Sequence, residues 1–105
     1  MSKLLYFVWT KVDADAEKDW IEYMDKKHLA DVLETNFFIS ARRLKVTDGE
    51  APANNVVIFE AESKEKFDQY VKTKAAELRK DHVDHFGSKV SSSRIILEEA
   101  FFLEK

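Results

Sequence analysis

The segment KLLYFVWTKV, residues 3–12, constrains the fold more than any other part of the chain. It is rich in aromatic and branched apolar residues, which is typical of a β-strand. The side chains of a strand point alternately to its two faces. The two sets of apolar residues that result are Leu4, Tyr6 and Val8 on one face and Leu5, Phe7 and Trp9 on the other. Both faces of the sheet that contains this strand must therefore be covered.

The apolar pattern predicts two similar halves on either side of the turn-forming segment 48–55. The predicted strands are residues 3–12, 37–47, 55–62 and 89–104, and the predicted helices are residues 15–35 and the segment from Ser63 to Phe86. The order βαββαβ indicates the α+β class with a ferredoxin-like fold, in which a four-stranded antiparallel sheet carries two helices on one face. Right-handed crossovers place the first and third strands at the centre. We expect residues 1–105 to form a single domain.

Polar residues and a glycine mark the expected ends of these elements. Asp13 and Asp15 offer N-cap carboxylates to the first helix, and Ser63 offers an N-cap hydroxyl to the second. Gly87 suits the position just after that helix, where a left-handed backbone is common. The alternation of the last strand is interrupted at Glu98-Glu99, which predicts a bulge or a break there.

With both helices on one face, the other face of the sheet is expected to be polar in a monomer, but it is not. Apolar residues continue the pattern of the first strand in the third and last strands: Val56, Val57, Ile58, Phe59, Ile95, Ile96, Phe101 and Phe102. An uncovered apolar face of this extent is more than soluble monomers usually expose. We therefore expect a homodimer in which two copies pack sheet to sheet about a two-fold axis. The alternative is a monomer with an apolar ligand groove on that face.

The composition argues against several classes of protein. The 105 residues include no cysteine, which rules out disulfides, thiolate zinc sites and thiol nucleophiles. A net charge of -3 argues against a nucleic-acid partner, and the short apolar runs argue against a membrane partner. The N-terminal segment lacks the features of a signal peptide, so the cytoplasm is the expected location. No phosphate-binding loop, dinucleotide fingerprint or nucleophile elbow is present, and no cofactor is expected.

Five short motifs resemble those of a known group. They are Trp20-x-x-x-Met24-x-x-x-His28, Asn36-Phe37-Phe38, Leu78-Arg79, Phe86-Gly87 and Ser93-Arg94. With the order βαββαβ they resemble the dimeric α+β barrel superfamily, and within it a small bacterial family known only as a domain of unknown function. The resemblance implies a ferredoxin-like fold and a homodimer. It implies no particular reaction, because the superfamily includes monooxygenases, isomerases and stress-responsive proteins.

His28 is the leading candidate for a catalytic residue. On the predicted first helix it shares an apolar face with Trp20 and Met24, which is expected to pack on the sheet. An imidazole in such surroundings resists protonation and is suited to act as a general base if a substrate reaches it. The alternative is a buried histidine with a structural hydrogen bond, for example to Asp31.

Arg79 and Arg94 are candidate ligand-binding residues because each lies in an otherwise apolar stretch. A buried guanidinium needs an anionic partner. That partner is either a protein carboxylate, of which Glu60, Glu62, Glu98 and Glu99 are the candidates, or a carboxylate or phosphate on a ligand. The sequence leaves both interpretations open.

Four aromatic residues and a second histidine complete the candidate set: Tyr6, Trp9, Trp20, Tyr23 and His82. They are suited to line a cavity for an aromatic ligand, and the alternative is that they belong to the core or the dimer interface. His82 and His85 lie three residues apart, a spacing that can bring two imidazoles to one metal ion. No metal-binding motif accompanies them, and no metal site is predicted.

Two functions follow from these candidates. The first is a cytosolic homodimeric module that binds a small molecule or has a structural role. The second is a cofactor-independent enzyme, similar to a monooxygenase or an isomerase, with His28 as general base and Arg94 or Arg79 as the anchor for an anion. A cavity with His28 or Arg94 on its wall favours the enzyme, whereas a His28 sealed by Trp20 and the sheet argues against it.

Overall fold

The computed structural model describes residues 3–105 and shows a four-stranded antiparallel sheet with the strand order β2-β3-β1-β4. The strands are β1 (Leu4–Val12), β2 (Ser40–Lys45), β3 (Asn55–Ala61) and β4 (Val90–Glu98). The helices are α1 (Glu17–Tyr23), α2 (Leu29–Leu33), α3 (Lys64–Thr73) and α4 (Ala75–Phe86). The predicted α+β class, the ferredoxin-like fold and the central position of β1 and β3 are confirmed.

The first predicted helix is three helical segments in succession. After a short 3-10 turn at Ala14–Ala16, α1 continues into a π-helical turn at Met24–His28 and then into α2. The expectation that Asp13 and Asp15 cap this helix is wrong, because neither side chain bonds to its first turn. Asp15 instead accepts a hydrogen bond from Lys89 at 3.0 Å, in the turn before β4.

The second predicted helix is divided into two, α3 and α4. It begins as expected, with the Ser63 hydroxyl accepting a hydrogen bond from the backbone N–H of Lys66 at 3.2 Å. At Lys74 the backbone leaves the helical region, with φ -127° and ψ -27°, so α3 ends there and α4 begins at Ala75. The expected glycine terminates α4, since Gly87 has a φ of +54° that favours glycine.

Two strands are shorter than the sequence pattern indicates. Residues 37–39 precede β2, and Phe38 turns into the core instead, with 5% of its surface exposed. Strand β4 ends at Glu98, where the alternation is interrupted, and residues 99–105 have no regular structure. Phe101 and Phe102 therefore do not belong to the sheet.

The core lies between the helices and one face of the sheet. Tyr6, at the centre of this face, packs beside Phe59 of β3 and against Phe67 of α3, with ring centroids 5.9 and 5.0 Å apart. Trp20 of α1 is completely buried in the same cluster. Such aromatic pairs add to the free energy gained from burial alone.

The opposite face carries no helix and is called the open face below. Its apolar residues are Leu5, Phe7, Trp9, Leu44, Val56, Ile58, Ile95 and Leu97. The register assigns Ile96 to the helix-covered face, beside Tyr6, whereas Ile95 lies on the open face. Within residues 3–105, none of the helices has both the length and the apolar character needed to cross a membrane.

Candidate functional site

A cleft opens between the helix-covered face of the sheet and the π-helical turn, α3 and α4. Its interior has a volume of about 40 Å³ and continues into an open mouth, and we call it the His28 cleft. Five of the predicted site residues line it: Tyr6, His28, Arg79, His82 and Arg94. The apolar part of the wall consists of Val8, Met24, Val57, Phe59, Tyr70 and Leu78. The hydroxyls of Thr10 and Ser92, which are 3.1 Å apart, lie on adjacent strands of the same wall.

The π-helical turn supplies His28 to this cleft. A π-turn inserts an extra residue into a helix, and such turns are frequent at functional sites. Both Met24 and His28, at its two ends, reach the wall. Burial lowers the pKa of the His28 imidazole to about 4, and the neighbouring His82 lowers it further. His28 is therefore neutral at physiological pH and is not sealed by Trp20.

Beside His28, a hydrogen bond between a tyrosine and an aspartate joins α1 to α4. The Tyr23 hydroxyl donates a hydrogen bond to Asp81 Oδ2 at 2.5 Å and lies 3.4 Å from His28 Nδ1. Lys27 also donates to Asp81 Oδ2, at 3.1 Å. The bond from Tyr23 and the bond from Lys27 lower the pKa of the Asp81 carboxyl, whereas burial and Asp81 raise the pKa of Tyr23. Asp81 is thus an ionised acceptor, and Tyr23 is a neutral donor to it.

His82 is fixed by the core tryptophan. The indole N–H of Trp20 donates to His82 Nε2 at 2.9 Å, so this nitrogen is an acceptor and, in the neutral ring, Nδ1 carries the proton. Burial is the first cause that lowers the pKa of His82, and the charge of Arg94 is the second. Trp20 thus supports the wall from behind without lining it. His85 bonds separately, through Nδ1, to the backbone oxygen of Asp81 at 2.8 Å.

Two guanidinium groups face the cleft without a carboxylate partner. Arg79 of α4 donates from Nη2 to the Tyr6 hydroxyl at 3.1 Å, and Arg94 of β4 lies opposite Val8 in the register. Within residues 3–105, neither forms an ion pair with an acidic group within 4.0 Å. Of the glutamates considered as partners, Glu60 pairs with Lys3 instead, at 3.7 Å.

Trp9 is the one candidate that the structure separates from the others. It lies on the open face, paired with Val56 and Ser93. Tyr6 and Trp9 are three residues apart, and such residues in a strand point to opposite faces. The expectation that both line one cavity is therefore wrong for Trp9. Tyr70 was not foreseen as part of the site. Burial raises its pKa to about 12.

The described part of the chain contains no group of three or more histidine and acidic side chains arranged to hold a metal ion. What the cleft does combine is a neutral imidazole, two cationic guanidiniums, hydroxyl groups and an apolar wall. Such a combination can bind a small polar molecule in a defined orientation.

Comparison with known proteins identifies a family and the fold. The family profile described as "Domain of unknown function (DUF4286)" matches residues 3–100. No curated protein sequence matches the chain.

Among solved structures, a dimeric ferredoxin-like protein from an uncultured marine organism has a TM-score of 0.75 at 10% identity, over 98% of this chain and 100% of the other. SnoaB, a cofactor-independent oxygenase from Streptomyces nogalater, has a TM-score of 0.75 at 10% identity, over 100% of both chains. A dimeric ferredoxin-like protein of unknown function from Thermobifida fusca has a TM-score of 0.61 at 9% identity, over 95% of this chain and 92% of the other. At such identities the likeness shows the fold alone.

Proposed function

The chain belongs to the DUF4286 family, a domain of unknown function, and we propose that it is a homodimeric protein that binds a small molecule in the His28 cleft. The observation that carries this proposal is the convergence of polar groups from separate elements on one apolar cleft. His28 comes from the π-helical turn, Arg79 and His82 from α4, and Arg94 from β4. A few polar groups converging on a mostly apolar wall are typical of ligand-binding sites.

The homodimer is supported by the open face. Three of its residues, Leu44, Ile95 and Leu97, are 46%, 44% and 44% exposed in the single chain. A second copy packed on this face covers them, and it leaves the His28 cleft free because the cleft lies on the other side of the sheet. Two solved structures with the same fold are described as dimeric ferredoxin-like proteins, which also supports this assembly.

We place the protein in the cytoplasm as a single domain. The absence of cysteine suits a reducing compartment. The described elements share one sheet, with the helices packed on one face. The partner proposed for each chain is a second copy, with no nucleic acid or membrane.

Ligand screening by thermal shift tests the binding proposal. A library of small carboxylates and small aromatic compounds is screened against the wild type, His28→Ala and His85→Ala. His85 is the matched control because its ring also packs against Tyr23 but lies outside the cleft wall. We expect ligands that stabilise the wild type and His85→Ala but not His28→Ala. The absence of any stabilising ligand, or equal stabilisation of all three proteins, contradicts the proposal.

A second candidate function is supported by the neutral state of His28. An imidazole that is neutral and lies on a cleft wall can accept a proton from a bound substrate. In a cofactor-independent monooxygenase- or isomerase-like reaction, His28 is the general base and Arg94 or Arg79 holds the anion. The likeness in fold to SnoaB is compatible with such chemistry.

Proton exchange distinguishes the enzyme from the binding module. A ligand found by thermal shift is incubated in D2O with wild-type protein and with His28→Gln, and its C–H signals are followed by proton NMR. Exchange that depends on His28 supports the enzyme. Binding without exchange supports the binding module and contradicts the enzyme.

A further inference from the structure

The His28 cleft has a charge opposite to that of the chain as a whole. The chain has 20 acidic and 17 basic residues, yet the wall of the cleft includes two arginines and no aspartate or glutamate. A guanidinium forms its strongest contacts with carboxylates and phosphates, which accept two parallel hydrogen bonds. The cleft is therefore suited to an anionic ligand.

The two guanidiniums lie on the wall of the same cleft. Arg79 is held by its bond to the Tyr6 hydroxyl, which occupies one N–H and leaves the others for a ligand. Arg94 lies on β4, the strand adjacent to β1, which carries Tyr6. Both arginines line the cleft wall together with Tyr70. A carboxylate bound in the cleft therefore has both guanidiniums as candidate partners.

His28, on the wall of the same cleft, has one ring nitrogen free to accept a hydrogen bond. The ionised Asp81 can only accept, so the single proton of the Tyr23 hydroxyl is directed to it. The Tyr23 oxygen can then only accept from His28 Nδ1, which lies 3.4 Å away, so Nδ1 carries the proton of the neutral ring. Nε2 keeps its lone pair and has no hydrogen-bond partner within residues 3–105.

We infer that the His28 cleft takes a small organic carboxylate that also carries a hydroxyl group. The carboxylate pairs with Arg79 and Arg94, the hydroxyl donates to His28 Nε2, and the apolar body of the ligand lies against Phe59 and Tyr70. Tyr23 and Asp81 are positioning residues, because they fix the tautomer of His28 without touching the ligand. This inference rests on the proposed small-molecule function and names the class of ligand.

Calorimetry with matched probes tests the ligand class. The probes are the three hydroxybenzoates, with benzoate lacking the hydroxyl and 4-hydroxybenzamide lacking the negative charge. We expect at least one hydroxybenzoate to bind more tightly than benzoate and the amide. Arg79→Gln and Arg94→Gln each weaken that binding about tenfold or more, the size expected for losing a hydrogen bond between charged groups. Lys80→Gln is the control, because it removes one positive charge from α4 at a position outside the cleft wall. We expect it to leave the hydroxybenzoate affinity unchanged.

The failures of the two proposals are distinguishable. If other compounds bind in a His28-dependent way but no hydroxybenzoate binds, or the amide binds equally well, the ligand class is wrong and the binding function stands. If no compound of the wider library binds, the proposed function itself fails.

The tautomer of His28 is tested without any ligand. Long-range proton–nitrogen NMR spectra of the wild type should show His28 with a protonated Nδ1 and an unprotonated Nε2. In Tyr23→Phe, which removes the oxygen but keeps the ring, we expect the Nδ1 preference to be lost. A wild-type His28 protonated on Nε2, or a tautomer unchanged in Tyr23→Phe, overturns the role of Tyr23 and Asp81.

Discussion

His28 is kept neutral by a balance of surrounding groups. Burial and His82 lower its pKa, and Lys27 does so more weakly. Asp31 and Asp81 act in the opposite direction. Because burial is the largest of these influences, the result is a pKa of about 4, well below the ordinary value for histidine. A neutral acceptor therefore shares the cleft wall with two guanidiniums, an arrangement that suits an anion with its own hydrogen-bond donor.

The low pKa of His28 makes stability depend on pH. The unfolded chain, with an ordinary histidine pKa near 6.5, binds a proton at higher pH than the folded chain does. The free energy of unfolding therefore falls as the pH is lowered below about 6.5. We expect His28 to contribute about 2 kcal/mol of this loss between pH 7 and pH 5.

Urea unfolding at the two pH values measures this contribution. His28→Gln should remove a large part of the loss between them, with the remainder due to His82, whose pKa is also lowered. His85→Gln serves as the control and should behave as the wild type. If the free energy of unfolding depends on pH equally in the wild type and in His28→Gln, the pKa of His28 is not lowered in the folded chain.

The periodicity of the sequence brings most of the site together. Helical spacing aligns Met24 with His28, and Arg79 with His82, while strand alternation assigns Tyr6 to the inner face. The hydrogen bond between Tyr23 and Asp81 escaped this reasoning because it joins residues 58 positions apart. No local pattern reports such a contact.

At the scale of elements, two irregularities shape the cleft. The π-helical turn at Met24–His28 and the break at Lys74 each interrupt an α-helix that the apolar pattern shows as continuous. The order and type of the elements could be predicted because periods of two and of about 3.6 residues are distinct. The irregularities could not, since both depend on how the helices pack on the sheet.

The π-helical turn is tied to the edge strand by an ion pair. Arg43 of β2 donates from Nε and Nη2 to the two oxygens of Asp25, both at 2.7 Å. This bidentate bond is the strongest geometry available to an arginine, and it lowers the pKa of Asp25. It joins the segment that carries His28 to the sheet.

A double-mutant cycle measures this link. For Arg43→Gln, Asp25→Asn and the double variant, we expect a coupling of about 1 kcal/mol or less in the free energy of unfolding, because water screens the 44% exposed Asp25 side chain. The coupling should shrink in high salt. Lys64 and Asp68, an exposed pair on α3, provide the comparison cycle with a smaller value. A coupling of zero for Arg43 and Asp25 would exclude a stabilising link.

At the scale of the whole molecule, the sheet has two apolar faces and the chain covers one. The helices and the His28 cleft occupy the face of Tyr6, while the open face has no cover within residues 3–105. The sequence predicted two apolar faces, but the register was needed to tell which one is open. The segment after β4 adds further apolar surface, since Phe101 and Phe102 are 81% and 67% exposed. In the proposed homodimer, a second copy provides the missing cover.

Sedimentation equilibrium of Phe7→Lys beside the wild type tests this assembly most directly. Phe7 lies at the centre of the open face, between Ile58 and Ile95, where a buried lysine in each copy would be unpaired and costly. The control is Val83→Lys, the same kind of change at a site on α4 that is 55% exposed. We predict a dimeric wild type, a dimeric Val83→Lys, and a Phe7→Lys that sediments as a monomer, folded or unfolded. A monomeric wild type, or a Phe7→Lys that remains fully dimeric, would contradict a homodimer built on the open face.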